Sequence, residues 1–516
     1  MPTKTHRIVL RPTGLELHAP SGVSLRDPLF EQGVEFPCGG QGRCRGCRVR
    51  VLEGTAGVNA AQEERLSVEE LAAGWRLACQ CVLEGDLVVE LRQWDSAILA
   101  DETPFAFEPR PGLGVAVDVG TTTIVAQLLD LQTGSVLAVR TALNSQARHG
   151  GDVMSRVEFA LSTGGRHELQ DLVRRQIGAL ITQLVRTASA SAEDIRDVVL
   201  VGNTVMHHLF CGISVEPLAH YPFAPSRYDL EILTAEQLDW ELPGNTPVRF
   251  LPCLGGFVGS DILAGLLATR ISESESLVAL IDLGTNGEIV LGNRDRMLCA
   301  STAAGPAFEG ARISMGMRAA TGAISQVTAE GGRLRCHVLG NTEPRGICGS
   351  GLVDAAATGL DLGVIGPSGR LANGNTNWEL CAGVTLTQKD IRELQLAKAA
   401  IAGGLRILRE RWNGVDPTRI YLAGAFGNYV NRSSAQRIGL IGYPPDQVQP
   451  AGNTALLGAK LALFSLDRED GRYTSLRNRV EHISLSADAH FQDIFVEELT
   501  FGSGADFSCR ASSQSV

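Results

Sequence analysis

The sequence predicts a mixed α/β protein, with a small α+β unit at its N-terminus followed by a larger, internally duplicated α/β unit. Three observations lead to this fold class: cysteines among short strands near the start, a proline-rich stretch after them, and one strand–turn–strand motif that occurs twice. The predicted division is a first domain over 1–93, a linker over 94–112, two subdomains over 113–275 and 276–500, and a disordered tail over 501–516.

Composition excludes several classes of partner. The 516 residues carry a formal net charge of −11, which argues against nucleic acid because phosphate binding needs a positive surface. No apolar run approaches the length of a membrane-spanning helix, and the start lacks the apolar core of a signal peptide. We therefore expect a cytoplasmic protein with no membrane partner, whose twelve cysteines are reduced thiols or metal ligands.

Alternating apolar residues and turn residues predict short elements in the first 93 residues, beginning with a hairpin. The predicted elements are strands over 6–10, 15–18, 48–52 and 86–91, a helix over 25–32 and a helical region around 61–73.

Four cysteines of this unit, Cys38, Cys44, Cys47 and Cys79, have the spacing C-x5-C-x2-C-x31-C. The plant-type [2Fe–2S] pattern is C-x4-C-x2-C with a distant fourth cysteine. Four glycines between Cys38 and Cys47 would let the loop wrap a cluster and direct N–H groups at its sulfur atoms. A zinc site would favour paired C-x2–4-C units at both ends, and four unrelated thiols are the other alternative. Cys81 could replace Cys79, because residues two apart on a strand face the same side.

The extra residue in the first gap resembles adrenodoxin-like ferredoxins, and residues 5–93 resemble a β-grasp ferredoxin domain. The resemblance implies one [2Fe–2S] cluster. It favours Cys79 over Cys81, because Leu-Ala-Cys79-Gln resembles the position of the fourth ligand in related ferredoxins. Arginines crowd the cluster loop and predict docking on an acidic partner surface. They are Arg43, Arg45, Arg48 and Arg50.

An internal repeat marks the larger unit. An apolar strand, the motif Asp-x-Gly-Thr and a second apolar strand occur first around Asp118 and again 164 positions later around Asp282. Backbone N–H groups and Thr hydroxyls in such a turn can surround phosphate oxygens, and the Asp at the strand end can hold Mg²⁺, usually through water. The residues of the two turns are Asp118, Gly120, Thr121, Thr122, Thr123, Asp282, Gly284, Thr285 and Asn286.

The two turns resemble the phosphate loops of the superfamily that contains actin, the sugar kinases and the heat-shock chaperone ATPases. That resemblance implies a duplicated RNase H-like ATPase fold over 113–500, with ATP and Mg²⁺ bound and with Asp118 and Asp282 as its catalytic residues. Further along, an apolar strand runs into a glycine-rich turn that resembles the adenosine motif of the superfamily. The turn consists of Gly424, Ala425, Phe426 and Gly427.

A ferredoxin domain fused to this ATPase fold resembles the reductive activators of corrinoid-dependent methyltransferase systems. The resemblance implies ATP-dependent transfer of one electron from a [2Fe–2S] cluster to a Co(II) corrinoid, which regenerates Co(I). The implied partners are a corrinoid protein or corrinoid-dependent methyltransferase and an upstream electron donor, and a homodimer would be compatible with it. Further segments that carry the resemblance are 144–156, 201–207, 254–261, 304–310 and 387–392.

Two other functions stay open from the sequence. A small-molecule kinase with a redox-sensing ferredoxin domain would need a carboxylate base beside the γ-phosphate, and Asp152, Asp261 and Glu288 are candidates. A non-enzymatic redox scaffold would bind nucleotide without turnover. Neither gives the predicted cluster a direct part in the chemistry.

Overall fold

The computed structural model describes residues 4–11, 15–30, 42, 47–91, 107–284, 286–310, 312–319, 322–427, 429–465 and 470–502. Of the predicted site residues, Cys38, Cys44 and Thr285 lie outside these ranges. The predicted tail lies outside them beyond residue 502.

Within its described residues, the N-terminal unit is one mixed sheet with three short helices. Its elements are β1 (Thr5–Arg11), β2 (Glu16–Pro20), α1 (Arg26–Phe30), β3 (Arg48–Glu53), α2 (Ala60–Arg65), α3 (Val68–Ala72), β4 (Trp75–Leu77) and β5 (Leu87–Leu91). The strand order is β2-β1-β5-β3-β4, with β1 and β5 parallel and the other neighbours antiparallel. The predicted helical region is two helices, because Ser67 begins a new one through a capping box with Glu70. Strand β4 is additional to the prediction, since three residues carry too little pattern to be recognised.

The second unit has six strands and five helices within the described ranges. They are β6 (Leu113–Val119), β7 (Thr123–Asp130), β8 (Val136–Leu143), α4 (Val153–Ala160), α5 (Gly165–Ala188), β9 (Ile195–Val201), α6 (Thr204–Cys211), α7 (Glu216–Ala219), β10 (Glu231–Thr234), β11 (Pro247–Phe250) and α8 (Ser260–Thr269). The strand order is β10-β11-β9-β6-β7-β8.

The third unit is built around another six-stranded sheet. Its elements are β12 (Val278–Leu283), β13 (Gly287–Gly292), β14 (Met297–Thr302), β15 (Ala323–Glu330), β16 (Arg333–Val338), β17 (Gly346–Ile347), α9 (Gly349–Asp361), β18 (Asn377–Cys381), β19 (Val384–Thr387), α10 (Gln388–Arg411), β20 (Arg419–Ala423), α11 (Gly424–Gly427), α12 (Arg432–Ile438), β21 (Val448–Gly452), α13 (Thr454–Ser465), α14 (Asp470–Asn478), β22 (Val480–His482) and α15 (Ala489–Glu497). The large sheet has the order β21-β20-β12-β13-β14-β22, while β15–β17 and β18–β19 form two small sheets.

The repeat in the sequence is also a repeat in the structure. Strands β8-β7-β6-β9-β11 and β14-β13-β12-β20-β21 have the same order. In both sets the first three strands are antiparallel neighbours and the last three are parallel neighbours. Because the two Asp-x-Gly-Thr turns connect β6 to β7 and β12 to β13, they occupy equivalent positions in the two halves.

Helices α8 and α13 join the two halves. They approach closely at Gly458, where an added Cβ atom would lie 2.1 Å from the carbonyl oxygen of Ala264. Buried side chains of both sheets and both helices form one shared hydrophobic core, with Leu263, Leu280 and Ala459 among them. The shared core joins the two halves that carry the phosphate turns.

The end of the predicted linker packs on this body. The ring centroids of Phe107 and Phe464 are 4.5 Å apart. Arg110 forms an ion pair with Asp197 at 2.8 Å and donates a hydrogen bond to the carbonyl oxygen of Leu463 at 2.7 Å.

Among the described helices, none combines the length and the apolar character needed to cross a bilayer.

Candidate functional site

Two of the four predicted cluster ligands lie side by side. Cys47 precedes β3, and Cys79 lies in a 3₁₀ turn over Ala78–Gln80. Their Sγ atoms are 3.4 Å apart. Two thiolates bound tetrahedrally to one metal atom at about 2.3 Å would be separated by about 3.8 Å. The pair therefore fits two ligands of a single metal atom, and Cys38 and Cys44 lie outside the described residues.

Cys81 has a different environment from Cys79. Its thiol is 1% exposed, and its Sγ donates to the carbonyl oxygen of Leu77 at 3.4 Å. Burial raises the pKa of this thiol to about 12, so a thiolate would form there only at a large cost. The alternative that Cys81 replaces Cys79 depended on both cysteines lying on one strand, but Cys79 lies in a 3₁₀ turn.

Two of the arginines near the predicted cluster have partners within their own domain. Arg48 pairs with Glu70 at 3.1 Å and lies over the Trp75 ring at 5.7 Å. Arg50 donates to the carbonyl oxygen of Ala73 at 3.0 Å. Arg43 and Arg45 lie outside the described residues. Docking on an acidic partner stays a prediction, and the positive charge of Arg48 is partly offset by Glu70.

The first phosphate turn, residues 118–123, is held by side-chain amides. Asn144 donates to the carbonyl oxygen of Gly120 at 2.9 Å, and Asn203 donates to the Thr121 hydroxyl at 2.8 Å. Gly120 has no room for a side chain, because an added Cβ atom would lie 2.4 Å from the carbonyl oxygen of Thr123. Contacts within the protein thus hold the turn in place.

A fully buried arginine supports the same turn. The Arg156 guanidinium donates to the carbonyl oxygens of Thr121 and Gly150 and to the Gln146 side chain. Burial lowers the pKa of Arg156 to about 10 while Asp152 partly counters that effect, so the group stays charged at neutral pH. The sequence contained Arg156 within a family segment but did not indicate this supporting role.

The second phosphate turn, residues 282–287, contacts the glycine-rich turn Gly424–Gly427. Gly424 has a φ of +82°, and an added Cβ atom would lie 2.6 Å from Asp282 Oδ1. Within the second turn, the Gly284 N–H donates to the carbonyl oxygen of Asn286 at 3.0 Å. Phe426 stacks on Phe308 with ring centroids 4.6 Å apart. The structure therefore brings the predicted phosphate and adenosine motifs together.

Four carboxyl groups from both halves converge between the two turns. Burial raises the pKa of Asp118 to about 6, against a lowering hydrogen bond from Asn453. Burial and the charge of Asp118 raise the pKa of Asp282 to about 7. Burial also raises the pKa values of Asp261 and Glu288, with the charge of Asp282 contributing to each. This concentration of negative charge suits a divalent cation, which binds through oxygen ligands.

The candidate carboxyl groups differ in their surroundings. Across the described ranges, no group of three or more His, Cys, Asp or Glu side chains is arranged as a direct metal-ligand set. Glu288 was named from the sequence only as a possible base, yet it lies directly opposite Asp282 in the β12–β13 register. Asp152 takes no part, since it caps α4 by accepting from the Ser155 N–H at 2.9 Å.

Side-chain contacts also cross between the halves at this cleft. Asn453 donates to Asp118 Oδ2 at 2.9 Å, and the Thr122 hydroxyl donates to Glu309 Oε2 at 3.3 Å. Asn453 and Glu309 both belong to the third unit, whereas Asp118 and Thr122 belong to the second. The fold and the two sites together define an iron–sulfur domain fused to a duplicated α/β domain of the nucleotide-binding type.

Comparison with known proteins gives the family. Residues 8–84 match the 2Fe-2S iron-sulfur cluster binding domain, residues 113–274 match the RACo middle region, and residues 276–507 match the C-terminal domain of RACo, the ASKHA domain. The chain belongs to the RACo family. The predicted fold class and the family resemblance are confirmed.

Relatives of this family match most of the chain. The corrinoid activation enzyme RamQ of Eubacterium limosum is 37% identical over 439 residues, which cover 78% of this chain and 73% of RamQ. The [Co(II) methylated amine-specific corrinoid protein] reductase of Methanosarcina barkeri is 29% identical, over 75% of this chain and 77% of that protein. A solved reductive activator for a corrinoid, iron–sulfur protein aligns with a TM-score of 0.69 and 28% identity, over 96% of this chain and 98% of that one.

Proposed function

We propose that this protein is an ATP-dependent reductive activator of a corrinoid protein. It passes one electron from a [2Fe–2S] cluster to Co(II) and thereby regenerates the Co(I) needed for methyl transfer. The observation that carries the proposal is the joining, in one chain, of a cysteine pair 3.4 Å apart with a carboxylate-lined cleft between two equivalent halves. The names of the two relatives, a corrinoid activation enzyme and a corrinoid protein reductase, support the substrate class.

The cluster is assigned to Cys38, Cys44, Cys47 and Cys79. When bound, the cluster would act as a one-electron donor. Cys79 is preferred over Cys81 because its sulfur lies beside Cys47 Sγ, whereas the Cys81 thiol is buried and donates to the Leu77 carbonyl oxygen. In a reducing compartment the four cysteines stay reduced and do not form disulfides. This supports a cytoplasmic location and an upstream electron donor.

The nucleotide is assigned to the cleft between the halves. Asp118 and Asp282 would hold Mg²⁺ through water, and the two turns would surround the phosphates with N–H groups and with the hydroxyls of Thr121, Thr122 and Thr123. Thr285 belongs to the second turn by sequence. The turn Gly424–Gly427 lies against Asp282, and its resemblance to the adenosine motif assigns it to the adenosine end.

Nucleotide has a physical reason to be present. A plant-type cluster has a potential near −400 mV. A cobalt couple that lies about 100–200 mV lower would make the transfer unfavourable by about 2.3–4.6 kcal/mol. A ligand that distinguishes two conformations by about 5.5 kcal/mol moves their ratio from 1:99 to 99:1. If ATP distinguishes an open from a closed conformation by this much, closure of the halves on ATP would offset the unfavourable electron transfer.

The test is an anaerobic mixture of the dithionite-reduced protein with a Co(II) corrinoid protein, followed by its Co(I) absorption. We expect Co(I) to accumulate with Mg²⁺ and ATP and to stay near background without them. A small-molecule kinase would instead form a phosphorylated product with no corrinoid present, and a scaffold would hydrolyse no ATP. Equal Co(I) formation with and without ATP would contradict the proposal.

A further inference from the structure

Helix α1 of the iron–sulfur domain inserts a carboxylate into the third unit. Asp27 is 2% exposed. Its Oδ1 accepts from Arg26 Nε at 3.1 Å and lies 3.5 Å from His337 Nε2 on β16. Its Oδ2 accepts from the backbone N–H of Gly340 at 3.3 Å. A carboxylate is buried at such a junction only where its hydrogen bonds and charge are matched.

Electrostatics at this junction favour the charged carboxylate. Burial alone would raise the pKa of Asp27, but the contacts with His337 and Arg26 outweigh burial and hold this pKa below its ordinary value. The Arg26 guanidinium also contacts His337 directly. Asp27, Arg26 and His337 therefore form a matched polar contact between two domains.

The same helix is tied to the turn that carries Cys79. The backbone N–H of Leu25, just before α1, donates to the carbonyl oxygen of Cys81 at 2.9 Å. Helix α1 contacts both the 3₁₀ turn Ala78–Gln80 and the 3₁₀ turn Leu339–Asn341 that follows β16. A displacement of the turn Leu339–Asn341 would thus be transmitted through helix α1 to the neighbourhood of Cys79.

A second contact starts from the nucleotide site. Tyr429 packs against the hydrophobic core of the iron–sulfur domain. Its backbone N–H donates to the carbonyl oxygen of Phe426 at 3.0 Å. Phe426 belongs to the turn Gly424–Gly427, which lies against Asp282. Tyr429 therefore connects the candidate adenosine turn with the core that surrounds Cys47 and Cys79.

We propose that the third unit carries a docking site for the iron–sulfur domain, formed by His337, Gly340 and Tyr429, and that nucleotide binding changes how the domain is docked. The inference rests on the nucleotide assignment above but needs no corrinoid. The two contacts would connect the nucleotide cleft with the cluster ligands within one chain. The Tyr429 contact starts beside the candidate adenosine turn, and the α1 contact lies beside the turn that carries Cys79.

Hydrogen exchange of the full-length, cluster-loaded protein tests the docking. The Gly340 amide is the reporter, because its hydrogen bond is to Asp27. We expect His337→Ala to speed exchange of this amide on the order of tenfold, because loss of the imidazole weakens the contact that holds the Asp27 carboxylate against the Gly340 N–H. The matched control is His490→Ala, which removes a His–Glu410 pair of 3.4 Å that does not touch the iron–sulfur domain. Cluster absorbance shows that the iron–sulfur domain is folded in each variant, and nucleotide affinity shows the same for the large body.

The nucleotide arm uses Mg²⁺ with ADP or a non-hydrolysable ATP analogue, with binding measured separately by calorimetry. In the wild type we expect bound nucleotide to change Gly340 exchange at least threefold. Tyr429→Ala should remove that response, and Tyr429→Phe, which keeps the ring, should retain it. Wild-type exchange in His337→Ala would overturn the docking site. An unchanged rate in wild-type protein with nucleotide bound would overturn the coupling, while Co(I) formation, assayed separately, would still support the proposed function.

Discussion

The Sγ atoms of Cys47 and Cys79 lie 3.4 Å apart, although 31 residues separate them in the chain. Strand pairing explains the approach. Arg48 and Leu77 are opposite each other in the β3–β4 ladder, and the Ala78 N–H donates to the carbonyl oxygen of Cys47 at 3.0 Å. Two of the proposed cluster ligands are therefore positioned by sheet geometry.

The first prediction separates Cys79 from Cys81. Cys79→Ala removes a sulfur that faces Cys47, so we expect the purified variant to lose nearly all cluster iron and the EPR signal of the reduced cluster. Cys81→Ala removes only a buried thiol, so its iron content should match the wild type. Iron assay and EPR on anaerobically purified protein provide the measurement. The reverse pattern, or zinc in place of iron, would show that the ligand assignment is wrong.

The second prediction separates the nucleotide site from the cluster. Asp118→Ala and Asp282→Ala each remove a carboxylate from the cleft, so we expect ATP-dependent Co(II) reduction to fall by about 100-fold or more. The EPR signal of the reduced cluster should be unchanged, because both residues lie in the large body. Asp361→Ala, which removes an exposed carboxylate paired with Arg437, is the control and should behave as wild type. Wild-type corrinoid reduction by both cleft variants would rule out ATP coupling.

Local patterns in the sequence predicted a large part of the site. The cysteine spacing and the two Asp-x-Gly-Thr turns are contiguous signals, and each structural copy of the turn connects two strands as expected. The roles of Arg156, Asp261 and Glu288 depend on strand register and helix packing, which no local motif shows. The contact between Asp27 and His337 crosses 310 positions, and no periodicity or motif in the sequence marks it.

The third prediction concerns the close approach at Gly424. An alanine there would adopt a left-handed backbone and place its Cβ atom 2.6 Å from Asp282 Oδ1. We expect Gly424→Ala to weaken Mg²⁺-nucleotide binding at least tenfold in calorimetry, because the second phosphate turn must shift. Gly363→Ala is the matched control, since Gly363 has a φ of +68° but nothing within 4 Å of an added Cβ atom. That control carries only the backbone cost of about 1–2 kcal/mol; equal affinities in the two variants would contradict the predicted clash.

The fourth prediction is a pH dependence of stability without Mg²⁺ or nucleotide. The pKa of Asp261 is raised in the folded state by burial and by the charge of Asp282, whereas the unfolded value is about 3.9. Between the pKa of the unfolded state and the higher pKa of the folded state, the folded state binds more protons than the unfolded state. The free energy of unfolding therefore falls as pH rises. His207 and His208, whose pKa values burial lowers to about 3 and about 4, act in the opposite direction below about pH 6.5.

Asp261→Asn isolates the carboxyl contribution, because it leaves both histidines in place and retains a side-chain oxygen that can accept from the Ile262 N–H. We expect the Tm of this variant, relative to the wild type, to increase by a few degrees between pH 5 and pH 8, since about 1 kcal/mol shifts Tm by about 2–4 °C for 150–250 residues and by less in a larger body. Thermal unfolding followed by circular dichroism at several pH values measures the difference. Asp361→Asn, at an exposed carboxylate, should give a curve parallel to that of the wild type. If the Asp261→Asn curve is also parallel, Asp261 does not titrate in this range, and the charge of Asp282 does not raise its pKa as inferred.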